Sequence, residues 1–353
     1  MVADMGLFGK SKVQKLGDSL TERLKGNLDG AAMTQAELDA LDPSLFALAE
    51  YDAAAAERSG YSNYSYWKST CRVFWKNRAA RFLLFLLAAL LIFTFIQPYL
   101  PNQKDDITIY YDQSTDLPLK NKLPGEEPGF FLGTNSIGQD LWARIWSGTR
   151  TSLFIGFVVA LSQCIIGVGI GVLWGYVRKV DKFFTELYNI INNVPRTIIL
   201  ILISYILRPS LSTIIIAMCF VGWVPMSLLI RNQIVIIRDR DYNLASRCLG
   251  SSSLRIMVKN LLPYLVSIIM LQMALAVPAA ITDEVFLTYI GLGLPLDMPS
   301  LGTLIIAGRA IITSAKLQYQ LLFPCLSLSL VTVCFYVIGN AFADAADPKN
   351  HVN

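Results

Sequence analysis

From Phe82 through Ile96 the chain carries no charged residue and little besides Leu, Phe, Ile and Ala. A hydrocarbon core about 30 Å thick takes roughly 20 apolar residues in a helix rising about 1.5 Å per residue. Each Leu, Ile, Phe or Val contributes about 0.3 to 0.6 kcal/mol to insertion, so this block, running from Arg81 to Leu100, reads as a membrane-spanning helix. Five further blocks follow: about Ser152 to Tyr176, Leu187 to Leu207, Ser212 to Ile230, Leu261 to Ile281 and Leu321 to Ala341. The third is the weakest. Its wholly apolar part, Thr197 to Leu207, is too short alone and must recruit Leu187 to Arg196, which holds three Asn, a Pro and an Arg. The expected fold class is an all-α integral membrane protein with six transmembrane helices.

Composition agrees, with 54% hydrophobic and 16% charged residues and the apolar ones gathered in blocks. The net charge of +4 is a topology signal. Lys and Arg cluster before the first span (Lys68, Arg72, Lys76, Arg78, Arg81), between the second and third (Arg178, Lys179, Lys182) and between the fourth and fifth (Arg231, Arg238, Arg240, Arg247, Arg255, Lys259). The positive-inside rule places these segments and both termini in the cytoplasm, beside anionic lipid, with no case for nucleic acid. The first span lies behind about 80 residues, too far along for a cleaved secretory signal. Cys164, Cys219, Cys325 and Cys334 fall in spans and Cys71 and Cys248 on the reducing side, so no disulfide is expected.

The expected organisation is an N-terminal cytoplasmic extension 1–80, a first span 81–100, an outer loop 101–151, a five-helix core 152–343 and a cytoplasmic tail 344–353. The core includes a cytoplasmic loop 231–260 and an outer loop 282–320. Within the extension, Thr34 with Glu37 reads as a capping box, and Pro43 suits the first turn of a second short helix ending before Gly60. The segment holding Tyr61, Tyr64, Tyr66 and Trp67 reads as a mobile linker, with an interfacial aromatic anchor as the alternative.

Chemistry is sparse. Gly9, Lys10 and Ser11 lack the earlier Gly of a phosphate loop, since Asp4 holds that place. The single histidine, His351, has no Cys or His at ligand spacing, so no metal site is expected. No G-x-S-x-G elbow occurs. The expected catalytic set is therefore empty, and the chain binds no cofactor of its own.

The informative segment is Asp241 to Pro263, DYNLASRCLGSSSLRIMVKNLLP. A helix there would put Tyr242, Ala245 and Leu249 on one face and end near Gly250. This stretch resembles the cytoplasmic loop of importer permeases of the ATP-binding-cassette class, whose pattern is Glu-Ala-Ala, three residues, then Gly. Leu244, Ala245 and Ser246 occupy the Glu-Ala-Ala places, Gly250 keeps its spacing, and Pro263 the later Pro.

Three more stretches resemble the second permease subunit of the oligopeptide and dipeptide branch. In LGTNSIGQDLWARIWSGTRTSL, from Leu132 to Leu153, Gly133, Thr134, Gly138, Asp140, Arg144, Gly148, Arg150 and Leu153 match; Asn135 and Gln139 stand where the family has Asp and Arg. Glu284 to Gly302 is similar to an outer segment of the family, with Leu301 in place of the usual Trp. Gly339 to Lys349 is similar to its terminal segment.

The resemblance implies a type I importer transmembrane domain in the cell membrane. It also implies a second homologous permease, two cytoplasmic ATPases that hold ATP and Mg, and an extracellular or periplasmic solute-binding protein. The ATPase contact would be Asp241, Tyr242, Leu244, Ala245, Ser246, Arg247, Leu249 and Gly250. The binding protein would dock near Glu284, Gly291, Gly293 and Pro299. Arg196, with Asn192 and Asn193, either lines the translocation path or, as the preferred reading, snorkels to the cytoplasmic surface. Gly167, Gly169, Gly171 and Gly175 read as packing residues. The competing readings are the same machine carrying nickel, glutathione or a sugar-derived solute, and a channel or stand-alone secondary transporter. A secondary transporter needs intramembrane carboxylates for ion coupling; the spans as drawn contain none, with Asp283 and Glu284 at or beyond the outer end of the fifth.

Overall fold

The computed structural model describes residues 66–346, with side chains from residue 70. The expectations for Thr34, Glu37, Pro43, Tyr61, Tyr64 and His351 lie outside the described residues. So do the side chains of Tyr66 and Trp67 and the last part of the tail motif.

The described residues form eleven α-helices in order: α1 Tyr66–Lys76, α2 Arg78–Ile96, α3 Leu141–Tyr176, α4 Arg178–Asn192, α5 Arg196–Leu207, α6 Leu211–Ile237, α7 Asp241–Cys248, α8 Ser253–Ile256, α9 Leu262–Tyr289, α10 Leu301–Ala310 and α11 Tyr319–Ala346. Among the described residues five helical runs, containing α2, α3, α6, α9 and α11, are long and apolar enough to cross a membrane. The third expected span is different. It breaks at Asn193 to Pro195 into α4 and α5, which meet at 78°. Pro195 has no N–H to donate and disfavours helical geometry before it, so the Asn-rich stretch cannot continue straight.

Four helices reach further than the sequence suggested, α6 running on to Ile237 and α11 covering Tyr319–Ala346. α3 begins at Leu141, inside the expected loop, because the Asp140 side chain accepts the Ala143 N–H (3.1 Å) and caps it there. α9 runs on to Tyr289, which takes Asp283 and Glu284 inside the helix. Residues 66–76, read from the sequence mainly as linker, form a helix whose Phe74 packs on Phe342 of α11 (ring centroids 6.4 Å apart).

Close approach of α3 and α6 rests on glycine. A methyl group at Gly171 would lie 2.6 Å from the Ser227 carbonyl oxygen, and at Gly167 and Gly175 2.7 Å from the Cβ atoms of Met226 and Ile234. In lipid, where burial of apolar surface gives little drive, such backbone contact is what holds helices together. Gly169 faces open space and takes no part. Leu153 and Ala160 of α3, Val277 and Ile281 of α9 and Val331 and Phe335 of α11 form a central core with Leu87 and Leu90 of α2. The other side of α2, with Phe82, Phe85, Ile92 and Phe95, is exposed and apolar, as a lipid-facing surface must be.

The 101–140 segment forms a folded cap at the end of the bundle where α3 starts, here the loop end. Tyr319 donates its hydroxyl to the carbonyls of Lys122 (2.8 Å) and Thr134 (3.0 Å), and Arg144 reaches the carbonyls of Asp106 and Leu296 (both 3.3 Å). Asn135 and Gln139 bond amide to amide at 2.9 Å.

Candidate coupling helix and translocation path

At the end of the bundle opposite the loop end, α7 lies between α6 and α8. It stops at Gly250, whose φ of +79° is the left-handed conformation glycine favours. The Gly250 N–H bonds the Arg247 carbonyl (2.9 Å) and the Ser251 N–H the Ser246 carbonyl (3.0 Å), the paired bonds of a Schellman ending. Asp241 in the first turn and Arg247 in the last complement the helix dipole.

One side of α7 is fastened down. The buried Asn243 donates to the Ile237 carbonyl (2.8 Å) and accepts from Asn260 (3.2 Å), which also donates to Ser246 Oγ (3.3 Å). Arg247 points inward, stacked 5.1 Å over the Tyr176 ring and bonded to the Arg238 carbonyl (3.1 Å). Asp239 gathers Arg178, Arg238 and Arg247 at 3.2 to 3.4 Å. Burial opposes the ionised form of Asp239, but the Arg238 and Arg178 guanidinium groups outweigh it and hold the carboxyl below its ordinary value. The other side is open: Asp241, Tyr242, Leu244, Ala245, Leu249 and Gly250 are exposed, Leu249 by 87%. A short helix bonded along one face and presenting Tyr and Leu on the other is an unmatched apolar contact surface. Asn243, Asn260 and Asp239 were not foreseen; Asn243 and Asn260 meet across 17 residues, and Asp239 draws in Arg178 from 61 residues away.

Within the bundle, Arg196 does not snorkel. Its Nη2 lies 2.6 Å from Asp283 Oδ2, joining the first residue of α5 to α9. Arg196 also lines two cavities. One, about 210 Å³, is bordered by Gln163, Pro225, Gln272 and Ala276; the other, about 220 Å³, by Asn192, Pro195, Val221 and Pro225. Asn192 therefore shares the second cavity with Arg196, whereas Asn193 closes α4 through its backbone.

Glu284, one residue beyond Asp283, is fully buried. Ser152 donates to its Oε2 (3.1 Å), and Thr288 (3.1 Å) and Ser300 (2.8 Å) donate to its Oε1. It ties α3, α9 and the cap of α10 together and is no docking surface of this chain. Gly293 and Pro299 are also buried; of the four residues assigned to docking, Gly291 alone is exposed. The inference that the spans hold no carboxylate is likewise corrected, because both carboxylates lie within α9.

Residues 167–352 match the family model of the binding-protein-dependent transport system inner membrane component, and residues 65–124 that of the N-terminal TM domain of oligopeptide transport permease C. The chain belongs to this permease family. The oligopeptide transport system permease protein AmiD of Streptococcus pneumoniae is 35% identical over 89% of this chain and 100% of its own length. In Bacillus subtilis, the dipeptide permease DppC is 35% identical (81% of this chain, 86% of that one) and the oligopeptide permease OppC 31% (87% and 97%). The permease is thus a multi-pass cell-membrane subunit of an ABC importer, and this family works with ATPase and binding-protein partners.

Proposed function

We propose that this permease forms half of the translocation path of an ATP-driven oligopeptide importer, with a second homologous permease as the other half. The peptide reading is supported by the named specificities of its relatives. The observation that carries the coupling role is α7, fastened beneath by Asn243 and Arg247 and open above at Tyr242, Leu244, Ala245 and Leu249.

On this reading α7 faces the cytoplasm and seats in a groove of one of two ATPases. ATP and Mg stay on those subunits, and this chain performs no catalysis. Closure of the ATPases moves α7, and the polar net to α3 and α6 passes the motion to the spans, because a packed interface shifts between discrete arrangements. The binding protein delivers peptide at the loop end, where Gly291 is exposed.

The test is reconstitution of the complex in vesicles with Leu249→Asp or Tyr242→Asp. Peptide-stimulated ATP hydrolysis and uptake should fall at least tenfold while the permease still inserts. Uptake by the purified chain without ATPases, or full coupling in both variants, would overturn the reading. A solute panel including nickel and glutathione tests the cargo.

A further inference from the structure

The Arg196 and Asp283 pair has features that a purely structural bridge does not need. Both residues are half-buried, with side-chain exposures of 36% and 22%. They sit where a helix has broken: α4 and α5 turn 78° just before Arg196. Broken helices within membranes occur where backbone lines a cavity. Arg196 stands in the wall of two such cavities, and Gln163, Gln272 and Asn192 add neutral hydrogen-bonding groups to them. Pro225 borders both, and its missing N–H leaves the Val221 carbonyl without its helical partner, a further acceptor beside the second cavity. The guanidinium is also incompletely satisfied, because its buried Nε has no hydrogen-bond partner.

We infer that Arg196 and Asp283 form an exchangeable ion pair that receives the termini of a zwitterionic peptide, the carboxylate on Arg196 and the ammonium on Asp283. This deepens the peptide-importer reading and rests on it. The physical logic is replacement of both partners. A buried charge stripped of its counter-ion is strongly unfavourable, so a ligand with one charge would open the pair and strand the other member. A ligand carrying both charges replaces each contact with one of the same kind. Guanidinium suits the peptide carboxylate because it binds that group through two parallel N–H donors. Without peptide the pair leaves neither of its own charges unpaired, and Arg196 bonded to Asp283 is its resting state.

The experiment uses the solubilised permease and ATPase complex without its binding protein, so that protein's own selection does not enter. Binding of trialanine is compared with its N-acetyl, C-amide and doubly blocked forms, and co-purification checks assembly of every variant. The wild type should bind the free peptide at least tenfold tighter than either singly blocked form. Arg196→Gln should abolish the difference between free acid and amide, Asp283→Asn that between free and acetylated amine, and Arg196→Lys should retain the carboxylate preference. Variants that weaken all four forms alike, or change none, would show a structural bridge only and overturn the inference. If the complete transporter moves another solute and no peptide form binds, the peptide reading itself fails; if peptides are carried without regard to their termini, this inference alone fails.

Discussion

Ser300 Oγ donates to Glu284 Oε1 at 2.8 Å, so the residue that caps α10 is bonded to a carboxylate buried within α9. Ser152 of α3 completes the link by accepting the Leu301 N–H (3.1 Å) while donating to Glu284 Oε2 (3.1 Å). Three elements therefore depend on one side chain. Glu284→Ala removes the acceptor for three hydroxyls and leaves a void, and should cost about 2 to 5 kcal/mol. Glu284→Gln keeps the volume and one carbonyl acceptor and should cost less than half as much. Thermal unfolding of the detergent-solubilised complex measures both.

Gly250 has room for a side chain but not the backbone for one. Nothing lies within 4 Å of a Cβ there, while φ is +79°. Substitution therefore acts through conformation, at about 1 to 2 kcal/mol for most residues and less for Asn, which tolerates this region. Gly250→Asn should keep ATP hydrolysis coupled to uptake, and Gly250→Val should uncouple it. Equal coupling in the two would contradict the role given to the helix ending.

The glycine seam makes a sharper contrast within one helix. Gly171→Ala pushes a methyl against the Ser227 carbonyl and must separate α3 from α6, whereas Gly169→Ala meets nothing. The first should lower the melting temperature by several degrees, the second by less than about one. Melting curves of the two single variants suffice.

Asn243 is the buried anchor of α7. Asn243→Leu removes one bond each from the Ile237 carbonyl and the Asn260 amide, which keep the Arg240 N–H and Ser246 Oγ, and should cost about 1 to 2 kcal/mol. The loss should appear locally as faster amide exchange across residues 241–250. Unchanged protection in that segment would show that α7 is held by other contacts.

Asp140 lends itself to a titration. Burial pushes its carboxyl above the ordinary value, opposed by the Ala143 and Trp142 N–H groups and by Lys104. Because the folded value is the higher, the folded form holds the proton more tightly. Stability is then greatest below the unfolded value and falls as pH rises through the folded one. Asp140→Asn keeps a capping oxygen without the charge, so its melting temperature should vary less with pH over that interval. At neutral pH it should match or exceed the wild type.

How much of this was legible in the chain depends on the range of the interaction. Span count, the helix at Asp241 to Gly250 and its ending follow from local pattern, because insertion and capping depend on near neighbours. The break at Pro195 was visible as a weak span and was bridged only because length alone was weighed. Arg196 and Glu284 were misplaced for another reason. Their partners Asp283 and Ser152 lie 87 and 132 residues away, and a side chain read without its partner is assigned to water. Asn135 and Gln139 read as departures from the family pattern; in the fold they bond one another across a tight turn, an amide pair in the places of an acid and a base.

Successive side chains on an α-helix point about 100° apart. Asp283 and Glu284 are successive, and each is held by a different neighbour: one by Arg196, the other by Ser152 and Ser300. They act on α9 as two pins set at an angle through one shaft. Spinning the shaft about its axis would shear both pins together, whereas tilting it can draw one and leave the other seated. Of the motions open to a rigid rod, this pair of adjacent residues blocks rotation and leaves the rocking of a lever.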